Sequence, residues 1–189
     1  MQANQAEQGT PPQRCTRARN AGALLKWARE RKEQAQVLAS MAEFAALTGI
    51  RRIEFLELHW PQISDTEARL IRGKQREKQI VEVISISPAL AALLTRLRGL
   101  AKNDRLGAVF PNRAGNCYTE QGFKAMWSKL VRQAVQENAI QKRFTRHDLR
   151  SYHVTQHKIQ RGALPDLHAD PGTTARIYDR TRYVKRDSL

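Results

Sequence analysis

Apolar positions along the chain recur mostly at steps of three and four, the period of helices with one face turned inward. From Ala21, the positions Leu24, Leu25, Trp27 and Ala28 open such a pattern. It passes a charged run, Arg29 to Glu33, and resumes in Leu38, Met41, Ala42, Ala45 and Ala46. Gly49, directly after Thr48, is the expected C-terminal cap. A second helix is expected from near Ile50, burying Ile50, Ile53 and Leu56 and ending at Pro61. The period then changes to two. Glu67 to Ile71 and Gln79 to Ile86 predict the strands of a hairpin, with the charged stretch Arg72 to Lys78 as its tip. Ser87-Pro88 is a helix start for the leucines at 90, 93, 94, 97 and 100. Ala108 to Pro111 reads as a short extended piece and Asn112 to Asn116 as a loop. Thr119 is expected to cap a helix whose stripe is Phe123, Met126, Trp127, Leu130, Val131, Ala134 and Val135. After a basic connector, Ile140 to Arg146, a helix beginning near His147 or Asp148 should bury Leu149, Tyr152 and Ile159 and stop before Gly162. Pro165 and Pro171-Gly172 then break the chain, and a short helix, Thr174 to Arg180, is expected beyond them. The pattern predicts a mainly α fold with a small antiparallel β-sheet (α+β).

Composition narrows the class. The chain has 189 residues, enough for one ordinary domain, and 41% of them are apolar, enough for a real core. Residues 1–20, rich in Gln, Asn, Pro and Arg, read as a flexible tail or linker; residues 21–180 form the domain, and 181–189 a basic tail. Lysine and arginine number 33 against 18 acidic residues, a net charge of +15. Such an excess points to a polyanion, most simply double-stranded DNA. Cys15 and Cys117 stand far apart with no ligand pattern around them, which argues against a zinc site or a disulfide scaffold. The first twenty residues hold no apolar signal-like core, and no run approaches the roughly 20 apolar residues that span a bilayer. A cytoplasmic location without membrane contact is the expectation.

The stretch Phe144-Thr145-Arg146-His147-Asp148-Leu149-Arg150, with Tyr178 downstream and one Thr-Gly-x-Arg at Thr48 to Arg51, suits tyrosine attack on a phosphodiester. Without a metal, the non-bridging oxygens must be stabilised as charge builds on them. Arginine does this well, because its planar fork donates two parallel hydrogen bonds and its charge cannot be lost. Two arginines from different elements would hold both oxygens and orient phosphorus for in-line attack.

Thr48-Gly49-Ile50-Arg51-x-x-Glu54-x-x-x-Leu58-x-Trp60 resembles the first arginine motif of the tyrosine recombinase (phage integrase) family, and His147-Asp148-Leu149-Arg150 resembles its His-x-x-Arg box. Lys74, on the hairpin tip, is similar to the family's β-hairpin lysine, with Lys78 a rival on the same turn. Thr173-Thr174 followed by Tyr178 resembles the segment bearing the nucleophile, with Tyr183 as the competitor. The resemblance implies site-specific DNA recombination of the phage or prophage integrase type. Tyr178 would attack the scissile phosphate, forming a 3′-phosphotyrosyl bond and releasing a 5′-hydroxyl. Arg51 and Arg150 would stabilise the transition state, His147 would do acid/base work, and Lys74 would protonate the leaving oxygen. It implies no metal or nucleotide cofactor, no small-molecule substrate, and a homo-oligomer assembled on DNA.

One stretch departs from the family pattern. Members carry Leu-Gly-His or Leu-Gly-Trp between the second arginine and the tyrosine, whereas here Asp166-Leu167-His168 lacks the glycine. His168 is the corresponding phosphate ligand, or a loop histidine without a role. The family's N-terminal clamp domain is also expected to be missing, since residues 1–20 are too few to supply it. Three other readings stand beside the recombinase: a basic DNA-binding module without chemistry, a degenerate integrase relic, and a relaxation-only enzyme of the type IB topoisomerase kind.

Overall fold

The computed structural model describes residues 13–71, 81–100 and 107–165, and the side chains within them from Asn20 onward except that of Arg146. The described elements are helix α1 (Gln13–Arg29), α2 (Glu33–Thr48), the short α3 (Arg52–Leu56), a 3-10 turn (Trp60–Gln62), strands β1 (Glu67–Ile71) and β2 (Val81–Ser85), α4 (Pro88–Leu100), α5 (Glu120–Gln136) and α6 (Arg146–Arg161). The mainly α class with a small antiparallel sheet is what the chain forms.

Several expectations shift in detail. The first helix begins at Gln13, inside the stretch expected to be a tail, and the charged run splits it from α2. The helix expected up to Pro61 is only α3. Its chain leaves helical geometry at Glu57 to make backbone bonds with the extended piece: Val109 N–H to Leu58 O at 2.9 Å and Trp60 N–H to Gly107 O at 3.1 Å. Ile53 is consequently 37% exposed, and Phe55 is buried beside Leu56. β1 and β2 pair antiparallel from Glu67↔Ser85 to Ile71↔Val81. The hairpin tip lies outside the described residues.

α2 is the central helix, flanked by α1, α4 and α6. Its buried stretch, Val37 to Phe44, is apolar on nearly all sides, as a helix surrounded by partners must be. All five phenylalanines of the chain join one edge-to-face or stacked ladder. It runs from Phe44 to Phe110 (5.3 Å between ring centres), Phe55, Phe123, Trp127 and finally Phe144, with no step longer than 6.1 Å. Such pairs add about 0.5–1.5 kcal/mol each beyond area burial. The ladder ends on Phe144, the residue before Thr145, the cap of α6.

Candidate functional site

α2 ends at Gly49, whose φ of +68° is the left-handed geometry that favours glycine, and its N–H closes the helix on Ala45 O at 2.9 Å. Two residues on, Arg51 caps α3 in extended geometry. Its backbone N–H donates to Glu54 Oε2 at 2.6 Å and its Nη1 donates to Oε1 at 3.2 Å. The Glu54 side chain is only 1% exposed while that of Arg51 is 32% exposed. A buried carboxylate therefore holds both ends of Arg51, its backbone N–H and its guanidinium.

α6 starts one or two residues before the position that the pattern suggests. Thr145 is its cap: Thr145 Oγ1 accepts from Asp148 N–H at 3.3 Å, and Asp148 Oδ2 accepts from Thr145 N–H at 2.8 Å. His147 therefore stands inside the first turn, exposed, and is not the cap. Arg150, one turn further, is 5% exposed. Its Nη1 donates to the carbonyl oxygen of Gly49. Arg51 and Arg150, distant in sequence, thus meet at the same loop, with His147 on the adjoining turn. Lys74, His168 and Tyr178 lie outside the described residues, as do Lys78 and Tyr183.

The buried side of α6 is unusual in its chemistry. Leu149 and Val154 are buried as apolar groups, but so are Arg150, Ser151 and Thr155. Tyr152 is half-buried, and Ile159, expected in the core, is 67% exposed. The face toward the end of α2 carries Arg150 and His153, so the apolar count along α6 misidentified part of its inner side. The chain also offers a half-buried His153 that the pattern did not single out. Its Nδ1 lies 3.2 Å from Ala46 O, and its pKa is pushed down to about 4, chiefly by burial; the bond to Ala46 opposes this, and the charges of His157 and Arg150 add to it. The one readable signal was its place three residues after Arg150, on the same helical face. Of the described tyrosines, Tyr118 belongs to the core: burial pushes its phenol up to about 12, the wrong direction for a nucleophile. Among the described residues no cluster of His, Cys, Asp or Glu could hold a metal ion, and no helix is long and apolar enough to cross a membrane.

The phage integrase family model matches residues 14–183. Among solved structures, the XerA recombinase superposes with a TM-score of 0.62 at 15% identity, over 96% of this chain and 62% of that one. The Tn1549 transposon integrase, in complex with circular intermediate DNA, does so with 0.65 at 16% identity, over 96% and 64%. The lambda integrase bound to DNA gives 0.55 at 14% identity, over 78% and 50%. At these identities the likeness is one of fold. The chain spans less than two thirds of the length of these structures. No curated protein matches it by sequence.

Proposed function

Because the chain belongs to the phage integrase family, we propose that it is the catalytic portion of a site-specific recombinase that cuts and rejoins double-stranded DNA. The observation that carries this reading is the bond from Arg150 to the Gly49 carbonyl, two residues from Arg51, which brings both family arginines to one loop. Two guanidinium groups there suit the non-bridging oxygens of a phosphate, whose charge grows on the way to a five-coordinate phosphorus.

In this mechanism the Tyr178 oxygen attacks phosphorus, the bond to the 5′ oxygen breaks, and the strand is left as a 3′-phosphotyrosyl ester that the 5′-hydroxyl later reverses. His147, exposed at the start of α6, exchanges the proton of the attacking or returning oxygen, and Lys74 protonates the leaving one. His168 adds a hydrogen bond to the phosphate. The +15 net charge supplies salt-sensitive attraction to the backbone, and several copies act together on paired sites. The DNA-bound relatives, among them a lambda integrase dimer bound to a COC′ core site, support that partner and that assembly.

A nicked suicide oligonucleotide tests the reading, because loss of the short fragment that bears the 5′-hydroxyl traps the ester. A covalent adduct, mapped by peptide sequencing to Tyr178 and absent from Tyr178→Phe, is the expected result. An adduct that persists in Tyr178→Phe reassigns the nucleophile. Salt-dependent binding with no adduct from the parent leaves a DNA-binding module without chemistry.

A further inference from the structure

Three histidines stand on α6. His147 is exposed in the first turn, and His157 faces Ala163 O through Nδ1 at 2.8 Å near the helix end. His153 instead turns into the contact between α6 and α2. Its Nδ1 lies 3.2 Å from Ala46 O; a carbonyl can only accept, so Nδ1 carries the proton in this contact. The other edge of the ring lies on Gly49. A Cβ at position 49 would stand 2.4 Å from His153 Cδ2 and 2.9 Å from Cγ, distances that no side chain tolerates. The absence of a side chain at position 49 therefore serves two ends, the left-handed turn and the seat of the imidazole.

Gly49 is also where Arg150 bonds, through the carbonyl. Positions 150 and 153, one turn apart on α6, thus grip the final turn of α2 from the same side, one at Gly49 and the other at Ala46 and Gly49. Arg51 leaves this turn two residues later. We propose that His153 is a positioning residue: by packing on Gly49 and donating to Ala46, it sets the turn from which Arg51 projects, and so the placement of Arg51 relative to Arg150. The role of those arginines as a phosphate clamp rests on the function proposed above; the packing does not.

Truncating the ring leaves a void under a turn that has no side chain of its own to fill it, and deprives the Ala46 carbonyl of a donor. α2 itself keeps its apolar core, so the disturbance is local to residues 49–54. A clamp misplaced by about an ångström costs up to roughly 100-fold in rate while leaving backbone affinity for DNA nearly intact.

Two measurements on the full chain test this. In amide hydrogen exchange, His153→Ala should speed exchange of residues 49–54 by about tenfold or more relative to α5, the local-opening signature. On the nicked substrate, it should slow adduct formation roughly 10- to 100-fold with an unchanged Kd for intact duplex. Exchange that is unchanged, or faster everywhere alike, overturns the proposal, as does a parent-like adduct rate. If the parent forms no adduct, the recombinase reading fails and the exchange comparison still decides this one. Should His153→Ala not fold, His153→Phe keeps a ring on Gly49 while losing the bond to Ala46, and the same two measurements read it.

Discussion

Helices α5 and α6 are nearly equal in length, 17 and 16 residues, and each has a threonine cap, yet they bury opposite chemistries. α5 turns Phe123, Trp127, Leu130, Val131 and Ala134 inward, on the aromatic ladder. α6 turns Arg150, Ser151 and Thr155 inward beside Leu149 and Val154. Burying a large apolar side chain stabilises by about 1.5–3 kcal/mol, whereas a buried guanidinium costs several kcal/mol unless its partners offset the lost water. α5 thus contributes stability, and α6 places groups at a cost that the rest of the core sustains. A helix whose inner face is expensive is the one to read for function.

That contrast can be broken at either helix. On the α5 side, Phe123→Ala removes a fully buried ring that packs against Phe55, Tyr118 and Trp127. It should lower the unfolding free energy by about 3–5 kcal/mol, read from urea midpoints, with the adduct rate per folded molecule unchanged. On the α6 side, Arg150→Ala should cut the rate of covalent attachment on the nicked substrate by about 10²–10³-fold. A stability loss of the Phe123 size with no catalytic loss would erase the distinction between the helices.

Acid sharpens the comparison. The folded pKa of His153, about 4, lies below its ordinary 6.5, so the unfolded chain takes up that proton first. Stability from this group is complete above about pH 6.5 and is lost as pH falls through about 4, up to ~3 kcal/mol in all. Urea midpoints between pH 7 and pH 4 should therefore fall more steeply for the parent than for His153→Phe, while Phe123→Ala keeps the parent's slope. The smallest effect is expected at the caps. Thr119→Ala and Thr145→Ala should each cost about 1 kcal/mol of stability. Only Thr145→Ala should also slow attachment, since His147 and Arg150 ride on the turn that it starts.

Much of this was legible before any coordinates. The stripe of α5, the proline start of α4, the alternation of β1 and β2 and the glycine stop of α2 are local, set by side-chain period and backbone preference within a few residues. Arg51, His147 and Arg150 drew attention because their residue types and spacing resemble a family's motifs. The inner face of α6 was not, because counting apolar residues picks Tyr152 and Ile159, and a helix that buries arginine, serine and threonine defeats such a count. His153 and the second use of Gly49 were invisible for a different reason: each acquires its role only when the other arrives from more than a hundred positions away.

The linear order of residues determined which stretches are helical, that α2 stops at Gly49 and α5 starts after Thr119, how charged the molecule is and which arginines merit attention, since those depend on neighbours along the chain. The folded arrangement alone decided that Glu54 holds both ends of Arg51, that Arg150 reaches the Gly49 carbonyl, and that an imidazole fills the space which the glycine leaves. Contacts of that kind depend on distance in space, and packing α6 against α2 is what brings these groups within reach of one another.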